Sequence, residues 1–562
     1  MTTALAQSPG DRPAANPRAT RSVVMARQGA IATSQPLASA AGLHVLASGG
    51  NAIDAAVTAA AVLAVVEPPM NGIGGDLFAL VYNGQTQTLH GLNASGRAGS
   101  GATPEAFAAL GLSEMPDRGP LPVTVPGAVD GWHELLQAHG TISLAQALAP
   151  AIAYARDGFV VSEIIAGQWR DTEAILARDD HAARVFLPGG AAPRPGDIFR
   201  NPALAATLQT IAAGGRDAFY TGPIGRAIAG DLARRGGHVT AADIAAHRSD
   251  WVTPISTNYR GYDVFELPPN TQGIVALEML NILEGFDLKA LGHNSAAYLH
   301  LLVEAKRIAF ADRGAYLADP GSVPASTLQT LLSKEYAAQR RREIDPSRAG
   351  AGYAPGAMPS ATGGSGGPLP RFDNVREGRD RGDTIYLTAA DGQGNVVSLI
   401  QSLYESFGAG IVAGDTGIVL HDRGAGFRLD AGHPNRIAPG KRPMHTLVPA
   451  MVLKDRRPWL SFGVMGGDMQ PQGHVQVLLN LIEFGMNIQE AGEAPRFRHM
   501  TQGVALESAL SAEARSGLTT RGHTVIQRRG AFGGFQGILI DPVTGVLMAG
   551  SDPRKDGLAI GR

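Results

Sequence analysis

No cysteine occurs among the 562 residues, which removes disulfides, thiolate metal sites and cysteine nucleophiles together. Any nucleophile in this chain is therefore an oxygen or an amine. A surplus of one charge is missing too: 48 Lys plus Arg stand against 50 Asp plus Glu, so no basic face is set aside for nucleic acid or an anionic membrane. No apolar run reaches the ~20 residues of a membrane-spanning helix, and the Ala-, Pro-, Arg- and Ser-rich opening, Met1 to Ala40, holds no signal-type apolar stretch. These absences predict a cytoplasmic protein with neither nucleic-acid nor membrane partners. With 44% hydrophobic and 17% charged residues, the composition is that of a soluble globular protein, long enough for several domains or one large α/β unit.

From Leu43 to Val66 the chain reads as two helical stretches punctuated by Gly49-Gly50-Asn51, the second so uniformly apolar that it predicts a buried helix. A strand is expected over Leu77 to Tyr82, between Gly72-Ile73-Gly74-Gly75 and the hairpin-turn dipeptide Asn83-Gly84. Helical patterns dominate from about Ser143 to Leu232 and from Gln272 to Tyr316, which suggests α/β layering. Between Asp345 and Arg381 all periodicity is lost in a Gly-, Pro-, Ser- and Arg-rich stretch that reads as a flexible linker. On composition alone such a segment also fits a spacer between two independent domains.

After the linker, Thr384 to Ala390 alternates polar and apolar residues, Asp391 to Asn395 forms a turn, and Val396 to Leu403 is rich in strand formers. A hairpin with that five-residue loop pairs Ala390 with Val396 and sets Thr384 opposite Ser402, where cross-strand neighbours lie about 5 Å apart. A threonine thus opens a strand directly behind a segment loose enough to be cut away. Hydroxyls need an adjacent base, and a Thr at a new N-terminus carries one in its own α-amine, whose pKa is about 7.7–8.0. Thr384 is the candidate nucleophile, although β-branched residues also begin strands for propensity alone. Acyl transfer further needs donors for an oxyanion, and Gly466 and Gly467 lie between strand-like Trp459 to Phe462 and helical Val475 to Phe484. Taken alone, that is equally an ordinary strand-to-helix turn.

Several blocks resemble the γ-glutamyltransferase (glutathione hydrolase) family from about Ala32 to Arg554. They are SGGNAIDAAV from Ser48, GIGGD from Gly72, VPGAVDGW from Val125, YRGYDVFELPPNTQG from Tyr259, the GDTIYLT block, FGAGIVAGDTGIVL from Phe407, GKRPMHTLVPAMV from Gly440, MGGD from Met465 and APRF from Ala494. The resemblance implies the four-layer αββα sandwich of N-terminal-nucleophile hydrolases and a precursor that cuts itself between Asp383 and Thr384. It implies a flexible tail over 1–30, a large subunit over 31–383 whose linker covers about 345–383, and a small subunit over 384–562. The two subunits stay together as a heterodimer, which can in turn pair. Thr384 takes the nucleophile's place, Ser402 that of a hydroxyl bonded to it, and Gly466 and Gly467 that of the oxyanion pair.

The departures fall where the family grips its glutamyl group. Asn93 stands at the arginine that holds the substrate α-carboxylate, Tyr404 at an Asn, Gly426 at the Asp that binds the α-amine, and His445-Thr446 at a Ser-Ser pair. A lone amide does not replace a bidentate guanidinium, so a changed substrate is expected. Arg97, Arg423 and His445 remain as cations able to hold a carboxylate differently, though each also fits a paired structural role. Relatives with altered pockets, oxamate amidohydrolase and glutaryl-cephalosporin acylase, imply a small-molecule amide of a carboxyacyl group. A true γ-glutamyltransferase and a non-catalytic binding protein of the same fold are the alternatives. A dinucleotide-binding oxidoreductase lacks its G-x-G-x-x-G fingerprint here. The chemistry calls for no cofactor, and no metal-ligand spacing such as H-E-x-x-H occurs.

Overall fold

The computed structural model describes residues 19–358, 382–528, 530 and 532–562. Two seven-stranded sheets form its centre. The first runs Leu558–Gly561, Gly29–Thr33, Gly382–Asp391, Val396–Glu405, Asp76–Asn83, Thr88–Ala94 and Asp250–Val252, every neighbour antiparallel. The second runs Val24–Ala26, Leu547–Ser551, Phe535–Ile540, Arg457–Val464, Ala450–Lys454, Tyr262–Glu266 and Ile255–Tyr259.

Strand periodicity explains the layering. Along Gly382–Asp391 the odd positions Ile385, Leu387 and Ala389 join the helix Ala52–Val66 in one core, while Tyr386 and Ala390 enter a second core between the sheets with Phe78, Ile400, Met451 and Ile538. The far face of the second sheet packs Val452, Leu460 and Phe462 against the helices Gly273–Leu283 and Met469–Ile482. The result is helix, sheet, sheet, helix, a sandwich with both sheet faces covered. Every residue of Ala52–Val66 is buried, as its uniformly apolar sequence predicts. Its N-terminus is closed by a capping box, with Asn51 accepting from the Ile53 and Asp54 amides. The Ala52 amide also donates to Asp391 at 2.9 Å, and Asp391 in turn accepts from Gln393 and Asn395, so one carboxylate ties this helix to the hairpin turn.

Two stretches expected to be loose hold described structure in part. Val24–Ala26 and Gly29–Thr33 are edge and interior strands, so ordered structure reaches into the stretch expected to be tail. Backbone hydrogen bonding to the C-terminal strands, such as Arg27 and Gln28 donating to Arg562, outweighs the tail-like composition. Part of the stretch expected to be linker is likewise docked. His300 donates to the Asp345 carbonyl, Glu304 accepts from Gly350 and Tyr353, and Asp312 accepts from Gly356, which docks this segment on the helix Ala296–Tyr316 despite its lack of periodicity. Residues 359–381 lie outside the described residues. No described helix is long and apolar enough to cross a membrane.

The sheets meet closely where a glycine permits it. Thr388 and Ser461 hydroxyls from facing strands lie 2.7 Å apart, and a Cβ on Gly463 would come within 2.4 Å of the Tyr386 ring. Gly463→Ala should therefore cost about 1–3 kcal/mol through overpacking. Gly167→Ala, in a helix with open space around it, is the control. Thermal unfolding should show a lower midpoint for the first substitution alone; equal midpoints would contradict this packing account.

Candidate active site

The same alternation that sends Tyr386 and Thr388 between the sheets sends Thr384 there, at the end of the strand, where it is buried. The ladder holds the expected register from Ala390↔Val396 to Ile385↔Gln401 and then slips, Asp383 pairing with Tyr404. Ser402 and Leu403 together face Thr384, so the simple opposition of Thr384 and Ser402 is replaced by a β-bulge, which re-aims the side chains. Tyr404, at φ 82°, takes the left-handed backbone that makes the slip possible. Its amide donates to Ser402 Oγ at 2.7 Å. Thr384 Oγ1 lies 3.4 Å from Ser402 Oγ, longer than a normal hydroxyl bond, so the two are neighbours rather than locked. The Asp383 side chain is outside the described residues.

The oxyanion candidates follow the facing strand. Thr388 lies over Ser461 and Tyr386 over Gly463, and Gly466 and Gly467 come three and four residues after Gly463. Both glycines have positive φ, 116° and 57°, which side-chain-bearing residues adopt at a cost. Their carbonyls accept from Met469 and Gln470 in the first turn of the helix Met469–Ile482. Among the described residues their own amides donate to no backbone or side-chain acceptor. Two amides at the positive end of a helix suit a developing oxyanion.

A buried polar cluster lies beside Thr384. Asp76, paired with Ser402 across the ladder, accepts from the Gly96 amide at 2.9 Å and from His445 Nε2 at 3.0 Å, with His421 Nδ1 at 3.3 Å. Burial pushes its carboxyl up, but His421 and His445 outweigh that and hold it well below the usual carboxylate range. His445 accepts from the Leu447 amide on Nδ1, so both its ring nitrogens are engaged and neither is open to a ligand. Burial and the Arg423 charge lower it to about 3, which keeps it neutral.

The other expected binding residues separate into two groups. Asn93 is buried with its amide shared among Asn270 and Ser95, and Arg97, partly exposed, pairs with Asp250 and hydrogen-bonds the Gly440 carbonyl. Arg423, Tyr404 and Thr446 instead come together: the Arg423 guanidinium lies 4.0 Å over the Tyr404 ring and donates from Nη1 to Thr446 Oγ1 at 2.9 Å. Arg423 is 1% exposed, and its Nε and Nη2 have no hydrogen-bond partner among the described residues. A buried guanidinium with two idle donors is a candidate partner for an anion.

A family model described as Gamma-glutamyltranspeptidase matches residues 38–562. The chain belongs to this family. The glutathione hydrolase-like YwrD proenzyme of Bacillus subtilis is 40% identical over 542 residues, 93% of this chain and 97% of the relative. The oxamate amidohydrolase proenzyme of Klebsiella pneumoniae is 36% identical over 542 residues, again 93% and 97%. The crystal structure of a cephalosporin acylase from Bacillus halodurans superposes with a TM-score of 0.89 at 42% identity, covering 98% of this chain and 99% of that one. The fold is the N-terminal-nucleophile hydrolase sandwich, and the gamma-glutamyltranspeptidase family is one of amide-bond hydrolases and transpeptidases.

Asp76 and Gln272 carry site contacts that motif reading left without a role, although GIGGD and NTQG contain them. Gln272 donates to the carbonyls of both Thr446 and Gly467. Of metal-type groupings, His300, Glu304 and His523 approach one another, but His300 and His523 are hydrogen-bonded at 2.8 Å and Glu304 accepts from Gly350, Tyr353 and Arg307. That trio is wired into the docked 345–353 segment, and the nearby Arg307 opposes a cation.

A pH dependence follows from His445. Its folded pKa of about 3 lies below the ordinary ~6.5, so between those values the unfolded chain binds a proton that the folded one refuses. Stability should fall as pH drops from 6.5 towards 3. His474, also lowered to about 3 by burial, adds in the same direction. His445→Gln should flatten the decline of unfolding free energy between pH 7 and 4 without abolishing it; an unchanged slope would contradict a buried neutral His445.

Proposed function

We propose that this chain is a self-processing N-terminal-threonine amidohydrolase that cleaves amides of a small carboxyacyl group. The observation that carries the reading is Arg423, buried against Tyr404 and Thr446 with two donors unused. A carboxylate seated there would gain charge-assisted hydrogen bonds that the Asn93 amide, spent on Asn270 and Ser95, does not offer. Similarity to proteins named cephalosporin acylase and oxamate amidohydrolase points the same way.

Activation begins with Thr384 Oγ adding to the Asp383 carbonyl carbon. The C–N bond breaks, the nitrogen keeps the hydroxyl proton and becomes the α-amine of Thr384, and water hydrolyses the resulting ester to leave Asp383 with a free carboxylate. In turnover the amine takes the Oγ proton, directly or through one water, as Oγ adds to the substrate carbonyl. The Gly466 and Gly467 amides receive the oxyanion. Collapse expels the substrate amine with that proton, and a water molecule then cleaves the acyl-threonine ester, releasing the carboxyacyl acid and restoring the hydroxyl.

The cut divides the 58.4 kDa chain after residue 383 of 562, giving fragments of about 40 and 19 kDa. Wild-type protein should show both on a denaturing gel and Thr384→Ala a single band; an uncut wild-type chain that hydrolyses amides would overturn the mechanism. For the substrate, release of amine or ammonia from oxalyl, glutaryl and γ-glutamyl amides is compared. A carboxyacyl compound lacking the α-amine should be preferred, and Arg423→Gln should lower its kcat/KM by roughly 10- to 100-fold, the loss of one or two charge-assisted bonds. Equal or better turnover of the γ-glutamyl amide would assign true γ-glutamyl specificity instead.

A further inference from the structure

We infer that Gln272 is a positioning residue that fixes the distance between Arg423 and the oxyanion turn, and through that distance selects the length of the acyl group. The inference rests on the amidohydrolase reading and adds a specificity determinant to it. Gln272 is completely buried, just ahead of the helix Gly273–Leu283. Its carboxamide nitrogen has two hydrogens and both are used, one on the Thr446 carbonyl at 3.0 Å and one on the Gly467 carbonyl at 3.1 Å. Its carboxamide oxygen accepts from Arg313 Nη1 at 2.6 Å, and the same Arg313 nitrogen binds Asp468, the residue after the glycine pair. The Arg313 guanidinium also rests 4.0 Å over the Phe310 ring.

The amide is planar, so its two N–H groups cannot change their separation. They clasp one peptide from each half of the site. Thr446 holds Arg423 through its hydroxyl, and Gly467 belongs to the turn that receives the oxyanion in the proposed mechanism. The Gly467 carbonyl already accepts from the Gln470 amide, so the helix start does not depend on Gln272. What Gln272 adds is the link between Thr446 and the turn. The path Arg423, Thr446, Gln272, Gly467 is continuous in hydrogen bonds and makes the carboxylate seat and the carbonyl seat one rigid gauge. One methylene more or less in the acyl chain shifts the reacting carbonyl by about 1 Å, and a misplacement of that size can cost up to about 100-fold in rate.

The test uses processed enzyme and a series of p-nitroanilides carrying oxalyl, malonyl, succinyl, glutaryl and uncharged butyryl groups. Gln272→Glu keeps the Arg313 contact but turns both donors into acceptors; Gln272→Asn keeps the amide on a stem too short to reach both carbonyls. Wild type should favour one carboxyacyl length, and both variants should lose about 100-fold in kcat on it while the other lengths fall far less, so the ratios of kcat/KM flatten. If one variant fails to fold, the other still reads the ratio. A uniform fall over all lengths, or an unchanged length profile, would overturn the gauge and leave Gln272 as structural support. A wild type that prefers butyryl over every carboxyacyl compound would overturn the carboxyacyl reading itself.

Discussion

Everything chemical in this molecule depends on two sheets whose facing strands run in a fixed mutual register. Tyr386 seated over Gly463 and Thr388 bonded to Ser461 set that register. Because side chains alternate along a strand, the contacts that send Tyr386 and Thr388 between the sheets send Thr384 there too, while the facing strand Arg457–Val464 runs on into the turn that carries Gly466 and Gly467. The scaffold's largest cores lie on the outer faces, so the inner face is free to end in polar groups.

Those polar groups are not independent. Asp76 is ionised in a place where burial alone would protonate it, and the two histidines that keep it so are thereby withdrawn from substrate binding. Asn93 is consumed by Asn270 and Ser95. Arg423 keeps two donors in hand, and His421 Nδ1 and Asp422 Oδ2 likewise lack a hydrogen-bond partner among the described residues. Buried polar groups that are satisfied rigidify a site, and the unsatisfied ones are where a ligand is expected. The cation and the aromatic ring beneath it are joined to Thr384 through backbone: Tyr404 pairs with Asp383, next to Thr384, and its amide holds Ser402.

Much of this was legible in the residues. The helix Ala52–Val66, the hairpin with its five-residue loop, the register from Ala390 to Ile385 and the glycine turn all follow from periodicity, turn chemistry and spacing, because each is a local property. The bulge at Thr384 was not. Tyr404 adopts a left-handed backbone that no glycine announces, and a two-residue period carries no mark of where a ladder slips. The roles of Asp76, Gln272 and Arg97 were equally hidden, since their partners lie far away in sequence: His445 for Asp76, Gly467 for Gln272, Asp250 for Arg97. The strands Val24–Ala26 and Gly29–Thr33 were masked by a composition that resembles a tail.

The central claim is that the threonine exposed by cleavage carries the acyl group. Processed enzyme quenched during turnover of a slow carboxyacyl amide, then digested and weighed by mass spectrometry, tests it directly. The account predicts that the peptide beginning at Thr384 gains the mass of the carboxyacyl group less one hydrogen, and that no other peptide does. An acyl group found on any other residue, or steady hydrolysis by a chain with no free Thr384 amine, would contradict it.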